Sequence, residues 1–244
     1  MSTAEVLVIG ATGTSVLMYC WYRSRQQQRT LQWFYTRQSQ QLAAQSEKIR
    51  DQLLQQAFAL RRSVELCSID VAKDTDKQLE TSLRLSENFN QSLESLGDEL
   101  SPPFLEDSLP LALQHLIRSW ICNQPVELTL ELPSDWPLQK SEQHRIVLWC
   151  VREFLMVLQS NVELTDTQAL KLDLTQKNDT AKLQLCCASQ ISEFVNRVKL
   201  LSELNYIQQI FKLFMPGHCK VRYRESRIDC EFSWSLKSIN TWSN

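Results

Sequence analysis

Residues 99–120 read ELSPPFLEDSLPLALQHLIRSW, and this stretch divides the chain. Pro102 and Pro103 cannot continue a helix, and the residue ahead of a proline is pushed toward extended backbone. Ser108 then stands as a helix N-cap with Pro110 in the first turn. Leu111, Leu113, Leu116, Ile117 and Trp120 supply the apolar face of that helix. A helical region therefore stops near residue 100, and a different folding unit begins after it.

Downstream, the pattern is mixed. Pro125 opens VELTLEL, in which Val126, Leu128, Leu130 and Leu132 alternate with Glu127, Thr129 and Glu131, the period of a half-buried strand. A strongly apolar helix is expected from Ser141 to about Gln159. ALKLDLT and AKLQLCC follow as alternating strands joined by the turn Gln176-Lys177-Asn178-Asp179. A third helical region covers Ile191 to Phe214, and KVRYR with IDCEFSW forms a last hairpin turning at Glu225-Ser226-Arg227. Helix, strand, helix, hairpin, helix, hairpin predicts an α/β sandwich, an antiparallel-rich mixed sheet with helices on one face.

Upstream, Gln26 to about Cys67 contains no glycine or proline and is rich in good helix formers. Leu42, Ser46, Ile49, Leu53, Ala57, Leu60, Val64 and Cys67 recur at alternating gaps of four and three, the seam of a coiled coil or bundle. A second helix is expected from about Asp76 to Leu96, with Leu79, Leu83, Phe89, Leu93 and Leu96 on one face and Gly97 as its end. The first helix is basic and the second acidic, which suits an antiparallel hairpin. Two helices alone leave apolar surface uncovered, so the reading extends to a dimeric four-helix bundle.

Val6 to Tyr22, VLVIGATGTSVLMYCWY, carries no charge. As a helix it spans about 25 Å, close to a hydrocarbon core. Tyr19, Trp21 and Tyr22 gather at one end, and Arg23, Arg25 and Arg29 follow, against Glu5 alone before it. Aromatic belt and positive-inside bias predict a single-pass anchor over 1–25 with the remainder cytoplasmic.

Composition removes several classes of function. Net charge is -2, against a strongly basic nucleic-acid binder. The four glycines (Gly10, Gly13, Gly97 and Gly217) are too scattered for a glycine-rich phosphate loop. The eight cysteines contain no C-x-x-C pair, and three histidines lack ligand spacing, so buried reduced thiols are expected and no metal site.

Two segments resemble bacterial two-component sensor histidine kinases. DQLLQQAFALRRSVE, residues 51–65, is similar to the first dimerisation helix in the branch whose phosphoacceptor motif reads His-Asp-x-Leu-Leu-Gln. ELSPPFLEDSLPLALQHLIRSW resembles the passage from that hairpin into the ATP-binding domain. The resemblance covers about residues 40 to 240 and implies an α+β fold: an N-terminal transmembrane helix, an antiparallel hairpin over 26–100, and an α/β sandwich of the GHKL ATPase type over 101–244.

Position by position, the implied chemistry is missing. Asp51, Leu53, Leu54 and Gln55 match, but the phosphoacceptor position holds Arg50, whose protonated guanidinium has no free lone pair. The family's Mg-binding helix reads Glu-x-x-x-Asn-x-x-Lys-His; Glu153 matches, whereas the other three positions hold Val157, Ser160 and Asn161. Mg²⁺ takes oxygen ligands, which valine does not offer. Cys186-Cys187-Ala188-Ser189-Gln190 stands where the adenine-binding Asp-x-Gly-x-Gly loop belongs, and Leu204-Asn205-Tyr206-Ile207 where a second glycine segment belongs.

Individual residues then take plain roles. Glu153 is expected to be solvated or ion-paired beside Arg152 or Arg145. His115 and His144 are expected to be structural or exposed, and His218 to sit in a turn at a rim. Cys186 and Cys187 should place one thiol inward and one outward. Lys220, Arg222, Arg224 and Arg227 line one face of the last hairpin, a solvated face that also suits an acidic partner or anionic headgroups. Arg50, Asp51 and Gln55, with Lys220, Arg222 and Arg224, form the candidate partner surface.

The expectation is a membrane-anchored pseudokinase without cofactor, a signalling scaffold that pairs with itself or with a kinase or other membrane-associated protein. A divergent kinase with residual ATP-dependent activity and a structural subunit or assembly factor of a membrane complex are the alternatives.

Overall fold

A computed structural model of the chain describes residues 3–69, 75–100, 102–122, 124, 126–137, 141–161, 169–188, 194–224 and 227–236. Two compact units emerge: Met1–Tyr35 with Glu106–Asn244, and Thr36–Leu105.

The first unit is built on a five-stranded sheet. Its strands are β1 (Glu127–Glu131), β2 (Ala169–Lys177), β3 (Thr180–Ala188), β4 (Gly217–Arg224) and β5 (Arg227–Ser235). They lie in the order β1-β2-β3-β5-β4, with β1 parallel to β2 and the other pairs antiparallel. Residues alternate along each strand because successive side chains point to opposite faces. Leu170, Leu172 and Leu174 of β2, Ala181, Leu183 and Leu185 of β3, and Ile228, Cys230, Phe232 and Trp234 of β5 are buried. The intervening residues carry charge: Lys171 pairs with Glu131 at 2.5 Å and Lys182 with Glu231 at 3.2 Å. One face is thus core and the other solvated, the pattern of a sheet with helices on one side.

Three helices cover the apolar face: α4 (Leu109–Ile121), α5 (Ser141–Asn161) and α6 (Phe194–Phe214). Phe211 of α6 meets the rings of Phe232 and Trp234 at 4.9 and 6.3 Å. Each such ring contributes about 1.5–3 kcal/mol by leaving water. Pro110 sits at the start of α4, where its missing N–H costs nothing. Asn178 takes a left-handed conformation (φ 55°) in the β2–β3 turn, one that asparagine tolerates. At Gly217 a Cβ would lie 2.2 Å from the Ser233 carbonyl oxygen, so only glycine lets β4 start so close to β5.

The second unit is a helical hairpin. Its first arm is the later part of α1 (Thr3–Lys48), a π-helical turn at Ile49–Leu53 and α2 (Leu54–Ile69); its second arm is α3 (Thr75–Leu100). Ser63 and Ser82 hydroxyls meet across it at 2.8 Å. Downstream of the π turn the expected seam holds in part: Leu53 is buried and Ala57 and Leu60 are half-buried, whereas Val64 is exposed. Upstream it moves by one position: Gln41, Gln45 and Lys48 turn inward, and Leu42 and Ile49 are exposed. The cause is the π turn, whose wider hydrogen-bonded loop takes one extra residue and shifts everything before it. Cys67's side chain lies outside the described residues.

On α3, Phe89 and Leu96 face inward, whereas Leu79, Leu83 and Leu93 are exposed rather than packed within the hairpin. Gly97 does not end α3. The helix runs on to Leu100, and Pro102 and Pro103 follow.

The chain's first helical residues belong to α1, which is continuous to Lys48. Among the described residues no helix is long and apolar enough to cross a membrane. The side chains at 6–16, most of the expected span, lie outside the described ones. Leu17, Met18, Tyr19, Trp21 and Tyr22 are all exposed.

Candidate functional site

Helix α5 carries the positions where the resemblance places metal binding. It is buried almost all round because the sheet lies beneath it and α4 and α6 flank it. Glu153 is 0 % exposed, which corrects the solvated alternative of the expectation and leaves the ion-paired one. Val157, one turn on, is also 0 % exposed and packs as a core residue. Asn161 closes the end of this row: its Nδ2 donates to the Val157 carbonyl at 2.8 Å and to Glu203 Oε2 on α6 at 3.0 Å. Ser160 points outward and donates back to the Met156 carbonyl at 2.9 Å. Leu200, Leu204 and Ile207 complete the α6 side, each about as buried as Val157. Among the described residues, the positions of α5 and α6 named here are thus occupied by buried side chains. His144, at the start of α5, is buried, and His218 lies exposed in β4 rather than in a turn.

The outer face of the same two helices is covered by α1. Trp33 stacks on Tyr206 of α6 at 5.2 Å and meets Trp149 of α5 edge-on at 6.3 Å. Phe34 packs on Trp149 at 4.8 Å and on Phe214 at 5.8 Å. Thr30, buried, lies 2.6 Å from Gln209 Oε1. Each aromatic pair adds roughly 0.5–1.5 kcal/mol beyond area burial. Tyr206 stands where the resemblance expects a glycine segment, and here it is one side of a docking surface for the chain's own first helix. The sequence reading missed this cluster. Its signal was Trp33-Phe34-Tyr35, three aromatics inside an otherwise polar stalk.

Arg50 and Asp51 lie within the π turn and Gln55 follows it; all three are exposed. Lys220, Arg222 and Arg224, the other half of the expected partner surface, belong to the other unit, on strand β4. Beside the π turn a cleft of about 420 Å³ opens between the arms, lined by Lys48, Gln52, Gln56, Asn88 and Ser92 among others. Its lining is mostly amide and hydroxyl, with the Lys48 ammonium and the apolar Leu53 and Leu96, and includes neither an acid nor a histidine.

The cysteines are mostly interior. Cys150, Cys186, Cys187, Cys219 and Cys230 are buried and free; Cys20 and Cys122 are exposed. Cys219 and Cys230 sulfurs lie 3.8 Å apart. Burial drives the Cys150 and Cys230 thiols well above their ordinary range, and it lifts Cys187, helped by Cys186, to about 11. Cys187 lies under the helices, while Cys186 is on the opposite face beneath Arg227, whose Nη2 donates to its sulfur at 3.0 Å. Burial raises Cys186 too, so none of these four is a ready thiolate. Among the described residues no cluster of three or more His, Cys, Asp or Glu side chains could hold a metal ion.

No family model matches the chain, and no curated protein does. Solved structures do resemble it. Acinetobacter baumannii histidine kinase AdeS is similar at 10% identity and TM-score 0.41, over 79% of this chain and 98% of that one. The histidine kinase domain of a blue-light activated kinase from Erythrobacter litoralis is similar at 9% identity and TM-score 0.44, over 73% and 96%. A histidine kinase from Burkholderia phymatum is similar at 11% identity and TM-score 0.38, over 79% and 99%.

Proposed function

We propose that this chain is a histidine-kinase-like scaffold that transfers no phosphate, anchored in a membrane through residues 6–22 and dimeric through its hairpin. The observation carrying the reading is the row Glu153, Val157 and Asn161 on α5: one oxygen ligand is buried, one is replaced by a core valine, and the last is bonded to Glu203. ATP-Mg²⁺ needs oxygen ligands and open space at this seam, and these residues do not fit it. Arg50, exposed in the π turn, supports the same reading, since it cannot serve as phosphoacceptor.

The scaffold role is supported by the hairpin surface. Leu79 and Leu83 on α3 are 55% and 62% exposed, and Phe58 on α2 is 66% exposed. A second hairpin would cover such residues, either from another copy or from a kinase partner. Arg50, Asp51 and Gln55 would then mark the partner-reading surface at the π turn.

The test uses the full chain in detergent with ATP and Mg²⁺. The expected result is an unchanged melting temperature at millimolar nucleotide and no incorporated phosphate. A Mg-dependent upward shift, or a phosphorylated product, would overturn the proposal.

A further inference from the structure

The path of α1 across the helical layer gives the sheet unit a direction. Thr30 meets Gln209 of α6, and one turn later Trp33 and Phe34 reach Trp149 of α5. Helix α1 therefore runs from α6 toward α5 as residue number rises. Helix α6 in turn lies over β4 and β5: Gln208 Nε2 donates to the Cys219 carbonyl of β4 at 2.5 Å, and Phe211 packs on Phe232 of β5. Followed backward from Thr30, α1 leaves the unit on the side of β4, the edge strand. Eight residues back, about 12 Å at helical rise, stand Trp21 and Tyr22, both exposed, with the Arg25 guanidinium 4.9 Å over the Trp21 ring.

Strand β4 bears Lys220, Arg222 and Arg224, all exposed and about 7 Å apart. Their cross-strand carboxylates are already engaged, Glu231 by Lys182 and Asp229 by Arg227. Among the described residues no ion pair forms to these three cations. An added peptide strand is the less suitable occupant, because Gln208 already takes the Cys219 carbonyl and a row of cations blunts an edge.

We propose that the β4 edge rests on the bilayer surface and holds anionic phospholipid headgroups through Lys220, Arg222 and Arg224. The inference rests on the membrane-anchor reading: it adds a second contact, by the folded unit, to the one made by the helix. Each cation near an anionic leaflet is worth about a fivefold change in local affinity.

The experiment places the full chain in nanodiscs of phosphatidylcholine alone or mixed with phosphatidylglycerol and measures acylation of Lys220 by an amine-reactive reagent. Lys177 and Lys199, both exposed, serve as internal references. Lys220 should react about fivefold more slowly in the anionic discs, with the references unchanged. High salt, or the surface variant Arg222→Gln/Arg224→Gln, should restore its rate. Equal Lys220 reactivity in the two discs, with the chain properly inserted, overturns the proposal and leaves the anchor standing. Should the chain fail to insert, flotation with phosphatidylglycerol vesicles decides: salt-sensitive binding lost in Lys220→Gln/Arg222→Gln/Arg224→Gln supports the cation row without the anchor. No flotation sinks both.

Discussion

The two units use leucine in opposite ways. In the sheet unit, Leu170, Leu172, Leu183, Leu185, Leu200 and Leu204 are all essentially inaccessible beneath three helices. In the hairpin, Leu42, Leu54, Leu66, Leu79, Leu83, Leu93 and Leu100 are exposed. A sheet with a helical cover closes its own core, whereas two long arms share one contact line and leave their remaining apolar faces open. The lesson is that the sheet unit covers its apolar residues with its own helices, whereas the hairpin leaves a row of leucines on its surface.

The contrast can be tested by substitution, beginning with the largest effect. Phe154→Ala, at a fully buried α5 position, should destabilise the sheet unit by about 3–5 kcal/mol in urea unfolding. A loss below about 1 kcal/mol there would mean the unit is not tightly packed.

Alkaline pH sharpens the same point. The Cys187 thiol ionises near 9.0 in an unfolded chain and at about 11 in the fold, so folding favours its neutral form. Its contribution is complete below pH 9.0, and about 3 kcal/mol is lost as pH climbs through 11. Melting temperature should fall across that window, and Cys187→Ala should flatten the slope. A profile flat to pH 11 contradicts the burial.

On the hairpin, Leu79→Ser with Leu83→Ser should leave single-chain unfolding within about 0.5 kcal/mol of the parent. It should weaken self-association at least tenfold, as read by sedimentation velocity. A large stability loss without a change in association would break the comparison. The smallest effect belongs to Arg61→Ala: its ion pair with Glu65, at 2.8 Å, has both partners more than half exposed and should be worth under about 0.5 kcal/mol.

Much of the sheet unit was legible in advance, because strand alternation and turn chemistry are local. The alternation at 126–132 placed β1, Asn178 and Asp179 marked the β2–β3 turn, and Ser108 with Pro110 marked the start of α4. The hairpin seam was legible only over Leu53, Ala57 and Leu60, since periodicity assumes an unbroken helix and an inserted residue has no signature in composition. The burial of Glu153 was equally hidden: a carboxylate reads as solvated until the elements around it are known. Trp33 and Phe34 were read as stalk, because what they meet on α5 and α6 lies more than a hundred residues away in sequence.

The extra residue at Ile49–Leu53 also has an evolutionary and engineering reading. Deleting one residue there, Gln52 for example, would restore ordinary helical winding and leave the facing of the upstream arm as it is, because the π turn already absorbs the surplus residue. Gln41, Gln45 and Lys48 would stay inward; only an arm that kept every residue and wound as an unbroken α-helix would bring Leu42 and Ile49 inside. The wide turn thus works as a phase adjuster, and one surplus residue decides whether the upper arm turns amides or leucine toward its neighbour.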